Sequence, residues 1–251
     1  MKQENRVQVE MEQFQQDNSG NTYALRNRLV EAAHLNRQGV AALSPSTTGA
    51  PDFGTALAAF RRSLRVLQHI PIGMDEDPEE PMFHRLQIVT GEKLGGSSDH
   101  EELFFVYNQP KMFTPPSGSH LGSISASEVA SFSAVVMFNI ALLYHLTNNL
   151  QSAVRLYEFS TNLVSELLET ALERNEEIEF LYLACVNNLA QIQTLWMDER
   201  SLEETLVLLR TSLVAAAHFT DETEAKHHAA IGEIQLNLLM SGFPRTAASA
   251  A

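Results

Sequence analysis

Cysteine is nearly absent from this chain: Cys185 is the single one in 251 residues. An intrachain disulfide and a cysteine-based zinc site are therefore both excluded. The neighbours of Cys185 are apolar, so we expect its thiol to be a small buried group. Glycine and proline are sparse and lie mostly between residues 39 and 122, whereas 44% of all residues are hydrophobic. The chain can therefore bury a substantial core.

Basic residues are also scarce, since 17 of them stand against 31 acidic residues and give a formal charge of −14. A nucleic-acid groove needs a clustered cationic surface, and anionic lipids attract the same kind of surface, so we expect neither nucleic acid nor a membrane as a partner. A neutral or basic protein is favoured instead. Six glutamates predict an acidic, mostly solvent-facing rim where a basic partner could dock: Glu166, Glu169, Glu173, Glu176, Glu177 and Glu179.

Targeting signals and long apolar runs are missing as well. Residues 1–17 are polar and have no apolar core like that of a secretory signal. The most apolar run, 132–146, includes Ser133, Asn139 and His145, and it is shorter than the roughly 20 residues that span a bilayer. We therefore expect a reducing intracellular location, the cytoplasm or the nucleus.

Apolar residues at helical spacing predict an all-α chain with seven helices. The predicted helices cover approximately residues 23–43, 52–69, 126–147, 150–174, 177–197, 201–218 and 222–241. Three pairs have the spacing of a capping box: Ser125 with Glu128, Ser201 with Glu204, and Asp221 with Glu224. Asn148 and Asn149 suit a tight turn between two of the helices.

The domain organisation follows from composition. We expect one helical domain over residues 21–243, between a flexible polar arm at 1–20 and a flexible tail at 244–251. An insertion at 71–124 contains most of the prolines and an acidic loop. Two short runs inside the insertion, His84–Thr90 and Leu103–Tyr107, predict either the strands of a β-hairpin or two strands folded against the helices.

A stripe of one small, one large and one small residue recurs along the chain. The three copies are Ala56/Phe60/Ser63, Ala153/Tyr157/Ser160 and Thr205/Leu209/Ser212. Residues four and three apart share one face of a helix, so each copy predicts close packing against a neighbouring helix. Each stripe lies on the second helix of a pair, and the first helix of that pair is expected to contribute one small residue. This residue is Gly39 in the first copy, Ala141 in the second and Ala190 in the third.

The central copy resembles the tetratricopeptide repeat, because Ile140, Ala141, Tyr144, Ala153 and Tyr157 fall at the spacing of that family. The resemblance covers about 140 residues. It implies stacked antiparallel helical hairpins, an α-solenoid, with the insertion looping out and the last helix covering the open end. The third copy departs from the pattern, with Gln193 in place of the family's tyrosine and a turn expected to be about three residues longer. A helical bundle without repeats is the alternative interpretation.

The resemblance also implies a site, because the first helix of each hairpin lines a concave groove that binds other proteins. It places eight residues there: Phe138, Asn139, Leu142, His145, Asn187, Asn188, Gln191 and Thr194. Asn139 and Asn188 are equivalent, and an asparagine amide can both donate to and accept from an extended peptide backbone. Alternatively, each asparagine ties a neighbouring helix to its own turn inside the core. The groove helices lack Lys and Arg, so we predict no clamp for a partner's C-terminal carboxylate.

We therefore predict a non-catalytic scaffold module that binds a protein or peptide partner, with no cofactor and no metal. Glu224 and His228 stand one helical turn apart, which is typical of a surface pair rather than a metal site. The alternative is a hydrolase-like enzyme in which His84, His100 and His120 supply acid–base groups from the insertion. A homodimer packed through the second-half helices is a third hypothesis.

Overall fold

The computed structural model describes residues 24–44, 50–70, 87–90, 106–114, 125–170 and 175–241. Within these residues the chain is mostly helical, with two short strands. The elements are α1 (residues 24–43), α2 (Phe53–Gln68), β1 (Gln87–Thr90), β2 (Lys111–Thr114), α3 (Ala126–Leu146), α4 (Leu150–Thr170), α5 (Glu176–Trp196), α6 (Glu199–Ala216) and α7 (Asp221–Ser241). The predicted arm at 1–20 and tail at 244–251 lie outside the described residues.

The two strands form an antiparallel pair in which Gln87 lies opposite Thr114 and Thr90 lies opposite Lys111. Strand β1 falls inside the predicted run His84–Thr90. Residues 103–105 of the second predicted strand lie outside the described residues, Tyr107 at its end is not in a strand, and the strand that pairs with β1 begins at Lys111. The reason is that both backbone polar groups of Tyr107 are bound by a helix side chain, as described below.

Two of the predicted helix starts can be tested. The capping box at α3 is confirmed, because Ser125 Oγ accepts from the Glu128 amide at 3.2 Å and Glu128 accepts from the Ser125 amide at 2.9 Å. The box at Ser201 was wrong: α6 begins at Glu199, and Asp198 caps it by accepting from the Ser201 amide at 3.2 Å. A carboxylate at a helix start also suits the helix dipole. The side chains of Asp221 and Glu224 lie outside the described part of the chain.

The short connections between helices depend on residues with a left-handed backbone. Asn148, with φ of 59°, turns the chain between α3 and α4, as the sequence predicts. Met197, with φ of 55°, ends α5 in the same conformation, although nothing about methionine signals it. The expected longer turn of the third copy was wrong, because only Met197 and Asp198 separate α5 from α6. The additional residues lengthen the helices instead.

Two helical pairs share the same internal geometry. Ser63 Oγ in α2 donates to the carbonyl of Ala32 in α1 at 2.7 Å. Ser160 Oγ in α4 donates to the carbonyl of Ala134 in α3 at 3.0 Å. Each serine closes one of the predicted small–large–small stripes, and all residues of the first two stripes are buried. The third stripe differs, since Ser212 bonds within its own helix.

Helix α3 lies beside α5, and α5 lies beside α7. Helix α4 packs against α3 and α5, α6 packs against α5 and α7, and α2 packs against α3. Helix α1 makes hydrogen bonds to α2 and to α3. A polar contact joins every adjacent pair of odd-numbered helices. These contacts are Asn139 to Asn36 at 2.9 Å, His145 to Gln191 at 2.7 Å, and Asn237 to Asn187 at 2.7 Å. The odd-numbered helices therefore form one layer with buried amides along its seams.

Helix α3 lies at the centre of the packing, against α2, α4, α5 and β2. Among the described residues it alone has the length and mean hydropathy, 1.8, of a membrane-spanning helix. However, 72% of that apolar window is buried inside the fold, which is equally typical of a core helix. Cys185 in the neighbouring α5 is fully buried, as expected, and burial raises the pKa of its thiol to about 12.

Gly39 in α1 offers a test of the small-residue packing. A Cβ atom there would lie 2.6 Å from Cδ1 of the fully buried Phe60 ring. We expect Gly39→Ala to lower the free energy of unfolding by about 1–3 kcal/mol, because the ring has no space to move aside. Urea unfolding followed by circular dichroism measures the change.

Gly232 in α7 provides the matched control, because a Cβ atom there meets nothing within 4 Å. Gly232→Ala should stabilise the protein by about 0.5–1 kcal/mol through helix propensity alone. Combining Gly39→Ala with Phe60→Leu should reduce the cost of the alanine. If Gly39→Ala is as harmless as Gly232→Ala, the close packing of α1 on α2 is incorrect.

Candidate functional site

The candidate site is the face of the odd-numbered helices that is covered by residues 106–114, called the docked segment from here on. Tyr107, Lys111 and Phe113 are buried, with exposed fractions of 1%, 0% and 0%. Met112 and Thr114 are only partly buried. Strand β2 therefore directs alternate side chains into the helical layer. Before the strand, Pro110 is buried as well, and Gln109 is half-buried.

Asn188 of α5 binds both backbone groups of Tyr107. The Tyr107 amide donates to Asn188 Oδ1 at 2.8 Å, and Asn188 Nδ2 donates to the Tyr107 carbonyl at 2.9 Å. The second Nδ2 hydrogen is directed at the Tyr157 hydroxyl, 3.0 Å away. The Asn187 amide also donates to Asn188 Oδ1 at 3.2 Å. All four hydrogen-bonding positions of this amide are thus filled.

Asn139 of α3 binds Lys111 in the same way. The Lys111 amide donates to Asn139 Oδ1 at 2.7 Å, and Asn139 Nδ2 donates to the Lys111 carbonyl at 2.6 Å. Asn36 of α1 donates to that carbonyl as well, at 3.0 Å. Two asparagines on neighbouring helices therefore grip two residues of one extended chain, which is the chemistry that their side chains suggest.

A line of hydrogen bonds continues from Asn188 through the buried face. The Tyr157 hydroxyl lies 3.4 Å from His145 Nδ1, and His145 Nε2 lies 2.7 Å from Gln191 Oε1. Burial lowers the pKa of His145 to about 4, against the opposing effect of the Gln191 hydrogen bond. His145 is therefore neutral at pH 7. With Nε2 protonated it donates to Gln191, and its Nδ1 accepts from Tyr157.

Aromatic contacts fix the side chains of the docked segment. The Tyr107 ring packs edge-on against Phe180 at 5.3 Å between centroids and tilted against Phe138 at 6.1 Å. The Phe113 ring stacks on Phe132 at 4.3 Å. Aromatic pairs at these separations add attraction beyond the burial of area.

Lys111 is unusual because it is fully buried and charged residues are rarely found in that state. Its Nζ lies 4.5 Å from the centre of the Phe180 ring and 5.2 Å from that of Tyr107. Burial lowers the pKa of Lys111 to about 7, although the carboxylate of Glu177 raises it. The nearby Lys226 lowers it further.

Glu177 is the acidic residue of this cluster, and it bonds to Lys226 and His227 of α7. Burial alone would raise the pKa of Glu177, but hydrogen bonds from His227 and Lys226 and the charge of Lys111 hold it at about 2. Burial lowers the pKa of His227, so its 3.3 Å contact with Glu177 is a hydrogen bond from a neutral ring. The His227 ring stacks on Phe180 at 3.7 Å.

These contacts correct the prediction of a solvent-facing acidic rim at the start of α5. Glu177 is largely occupied by α7, and Glu176 accepts from the Thr220 amide at 2.9 Å and from the Thr220 hydroxyl at 2.8 Å. Glu166 and Glu169 in α4 are exposed, as predicted. Glu173 lies outside the described residues. Glu176 and Glu177 therefore hold the start of the last helix rather than face solvent, and Glu179 is half-buried.

All eight residues predicted to bind a partner are buried. Asn139 and Asn188 hold the chain's own docked segment, and Phe138 packs against its Tyr107 ring. Others join helices to one another: His145 with Gln191, and Asn187 with Asn237. Leu142 belongs to the core, and Thr194 Oγ1 has no hydrogen-bond partner within the described ranges. Their binding of a separate partner stays a prediction.

Sequence reasoning missed the docked segment and the cluster around Lys111. A weak pattern was present, because even numbers of residues separate Tyr107, Lys111 and Phe113, and side chains at such separations point to the same side of an extended chain. Because one of the three is a lysine, the sequence did not identify this side of the chain as a buried one. Asn36 was missed too, since it lies one helical position away from the equivalents of Asn139 and Asn188.

Groups able to bind a metal ion do not cluster anywhere in the part of the chain that the structure describes. His84, His100 and His120, proposed for the enzyme alternative, lie outside that part. No protein-family model, curated protein or solved structure matches this chain. The site therefore has to be interpreted from its own geometry.

Asn188→Ala tests the grip on the docked segment. The change removes the hydrogen bonds of Asn188 to the Tyr107 amide, the Tyr107 carbonyl and the Tyr157 hydroxyl, so we expect a loss of about 2–4 kcal/mol in unfolding free energy. Hydrogen exchange at the Tyr107 amide should accelerate more than exchange in α4. Asn162→Ala, on the exposed face of α4, serves as the control and should change stability by less than about 0.5 kcal/mol. Equal behaviour of the two variants would contradict the grip.

The lowered pKa of His145 predicts that the folded protein loses stability in mild acid. The unfolded chain protonates this side chain near pH 6.5, whereas the folded chain does so only near pH 4. Because the unfolded state binds the additional proton, stability is complete above pH 6.5 and falls by about 3 kcal/mol as the pH drops to 4. Urea unfolding across this range should show a shallower slope for His145→Gln. His34→Gln, at an exposed position of α1, is the surface control and should retain the wild-type slope.

Proposed function

We propose that this protein is a non-catalytic interaction module, related in plan to tetratricopeptide arrays, that binds an extended polypeptide across α1, α3 and α5. One observation carries the proposal: Asn139 and Asn188 each pair with the N–H and the C=O of one residue in an extended chain. Such pairing recognises the backbone of the bound segment and does not depend on its side chains. It therefore suits any extended segment that reaches the face.

The repeated geometry supports the same proposal. Ser63 with Ala32 and Ser160 with Ala134 make one contact at equivalent places in two helical pairs. Asn139 and Asn188 stand at equivalent places in the next pair of inner helices. A repeated helical unit presents the same side chain at regular intervals, which is how repeat proteins grip extended ligands.

Charge favours a neutral or basic partner. The chain carries a formal charge of −14, and neither α3 nor α5 contains a lysine or arginine. An acidic partner would approach against that field, whereas a basic one is attracted and associates faster. A scaffold role in the cytoplasm or nucleus stays a prediction.

The docked segment complicates any binding assay, because it competes for the same asparagines. Removing Asn188 weakens the hold on the segment and on a partner together, so the two effects offset each other in the wild-type chain. The test therefore belongs in the full-length Tyr107→Ala background, where the segment has lost its ring contacts with Phe138 and Phe180.

We expect a random peptide library displayed on phage to yield binders to the Tyr107→Ala protein. Adding Asn188→Ala or Asn139→Ala should weaken the binding of those peptides at least about tenfold, because the peptide backbone loses the two hydrogen bonds that one asparagine side chain makes to it. Adding Asn162→Ala should not weaken them. The proposal fails if folded Tyr107→Ala protein selects no peptide, or if the selected peptides ignore both groove asparagines.

A further inference from the structure

We infer that the docked segment imitates the partner: the groove accepts a basic polypeptide segment carrying an aromatic residue, a lysine four positions later and a second aromatic two positions after that, and this segment displaces residues 106–114. The inference deepens the proposed function and rests on it. The structure contains the bound segment, residues 106–114, so its inward side chains describe what the face accepts.

The backbone contacts alone do not select a sequence. Asn139 and Asn188 contact only N–H and C=O groups, which every residue except proline offers in the same form. Pro110 falls between the two gripped residues and therefore interferes with neither. Selection must come from the side chains that point into the helices.

Four residues of the segment are buried, and apart from Pro110 each has surroundings of distinct chemistry. Tyr107 occupies an aromatic corner formed by Phe138 and Phe180. Phe113 lies flat on Phe132. Between them, Lys111 places its ammonium group over Phe180 and near the carboxylate of Glu177. An aromatic face next to a carboxylate attracts a cation and repels an acidic group.

The chain's own segment is an imperfect occupant, which is why displacement is feasible. Full burial costs the Lys111 ammonium group its hydration, and the proximity of Lys226 adds like-charge repulsion. Full burial of an ion pair often returns less energy than its desolvation removes. A partner whose flanking residues bring more positive charge to this acidic protein gains additional attraction that the tethered segment lacks.

The test uses a labelled peptide of residues 106–114, acetylated and amidated so that its ends carry no charge, and fluorescence anisotropy with the full-length protein. We expect at least tenfold tighter binding to Tyr107→Ala than to wild type, because the segment no longer holds the site closed. Phe113→Ala loosens the segment at its other end and should also bind the peptide more tightly than the wild type does. Circular dichroism confirms that each variant retains its helices.

Peptide variants identify the side-chain requirements. Replacing the peptide's lysine by glutamate should weaken binding at least tenfold, and a shuffled peptide should not bind. In protein carrying Glu177→Gln as well, the preference for lysine over glutamate should shrink. Excess native peptide should accelerate hydrogen exchange at the Tyr107 amide of the wild-type chain, because the peptide takes the place of the segment.

Several results would overturn the inference. One is equal binding of the lysine and glutamate peptides, and another is failure of the native peptide to bind both loosened variants. A wild-type dimer that the peptide converts to monomer would show that a second copy, rather than a different protein, supplies the segment. If phage selection yields asparagine-dependent peptides without this pattern, the inference fails while the proposed function stands. If no peptide of any sequence binds, both fail.

Discussion

An extended chain buried against helices has no neighbouring strand to satisfy its backbone polar groups, and each unsatisfied group costs free energy. In this protein the side chains of Asn139 and Asn188 replace that strand at Lys111 and Tyr107. The rest of the site depends on this substitution. It fixes where the Tyr107 ring enters the helical layer, why Lys111 is buried, and why strand pairing with β1 starts only at β2.

The asparagines are themselves held in place by the packing of the helical pairs. Asn188 donates to Tyr157, the large residue of the central stripe, and Tyr157 is fully buried beside His145. A stripe that first looks purely structural therefore also orients the groove. The repeated serine contacts to Ala32 and Ala134 set the spacing between the helices of the first two pairs. Packing and recognition share the same residues, so neither can change alone.

The parts of the fold that the sequence predicted depend on contacts close along the chain. The helix start at Ser125 needs only Glu128, and the turn at Asn148 needs only a residue that tolerates positive φ. Asn139 and Asn188 were also singled out, because they are equivalent in the predicted repeat, and their binding of a separate partner stays a prediction. The occupant was not singled out, since Tyr107 and Asn188 are 81 residues apart and no local rule links them. The start of α6 was misjudged because Asp198 competes with Ser201 as the cap, and the exposure of Glu177 was misjudged because α7 packs over it.

The separation of Tyr107 and Asn188 along the chain also determines how long Tyr107 waits for its partner during synthesis. A ribosome adding about 5–20 residues per second produces Tyr107 roughly 4–16 s before it produces Asn188, 81 residues later. Until α5 has been synthesised, neither Asn188 nor Phe180 is present to hold the backbone and the ring of Tyr107. Burial of Tyr107 therefore depends on a part of the chain that is made seconds after it.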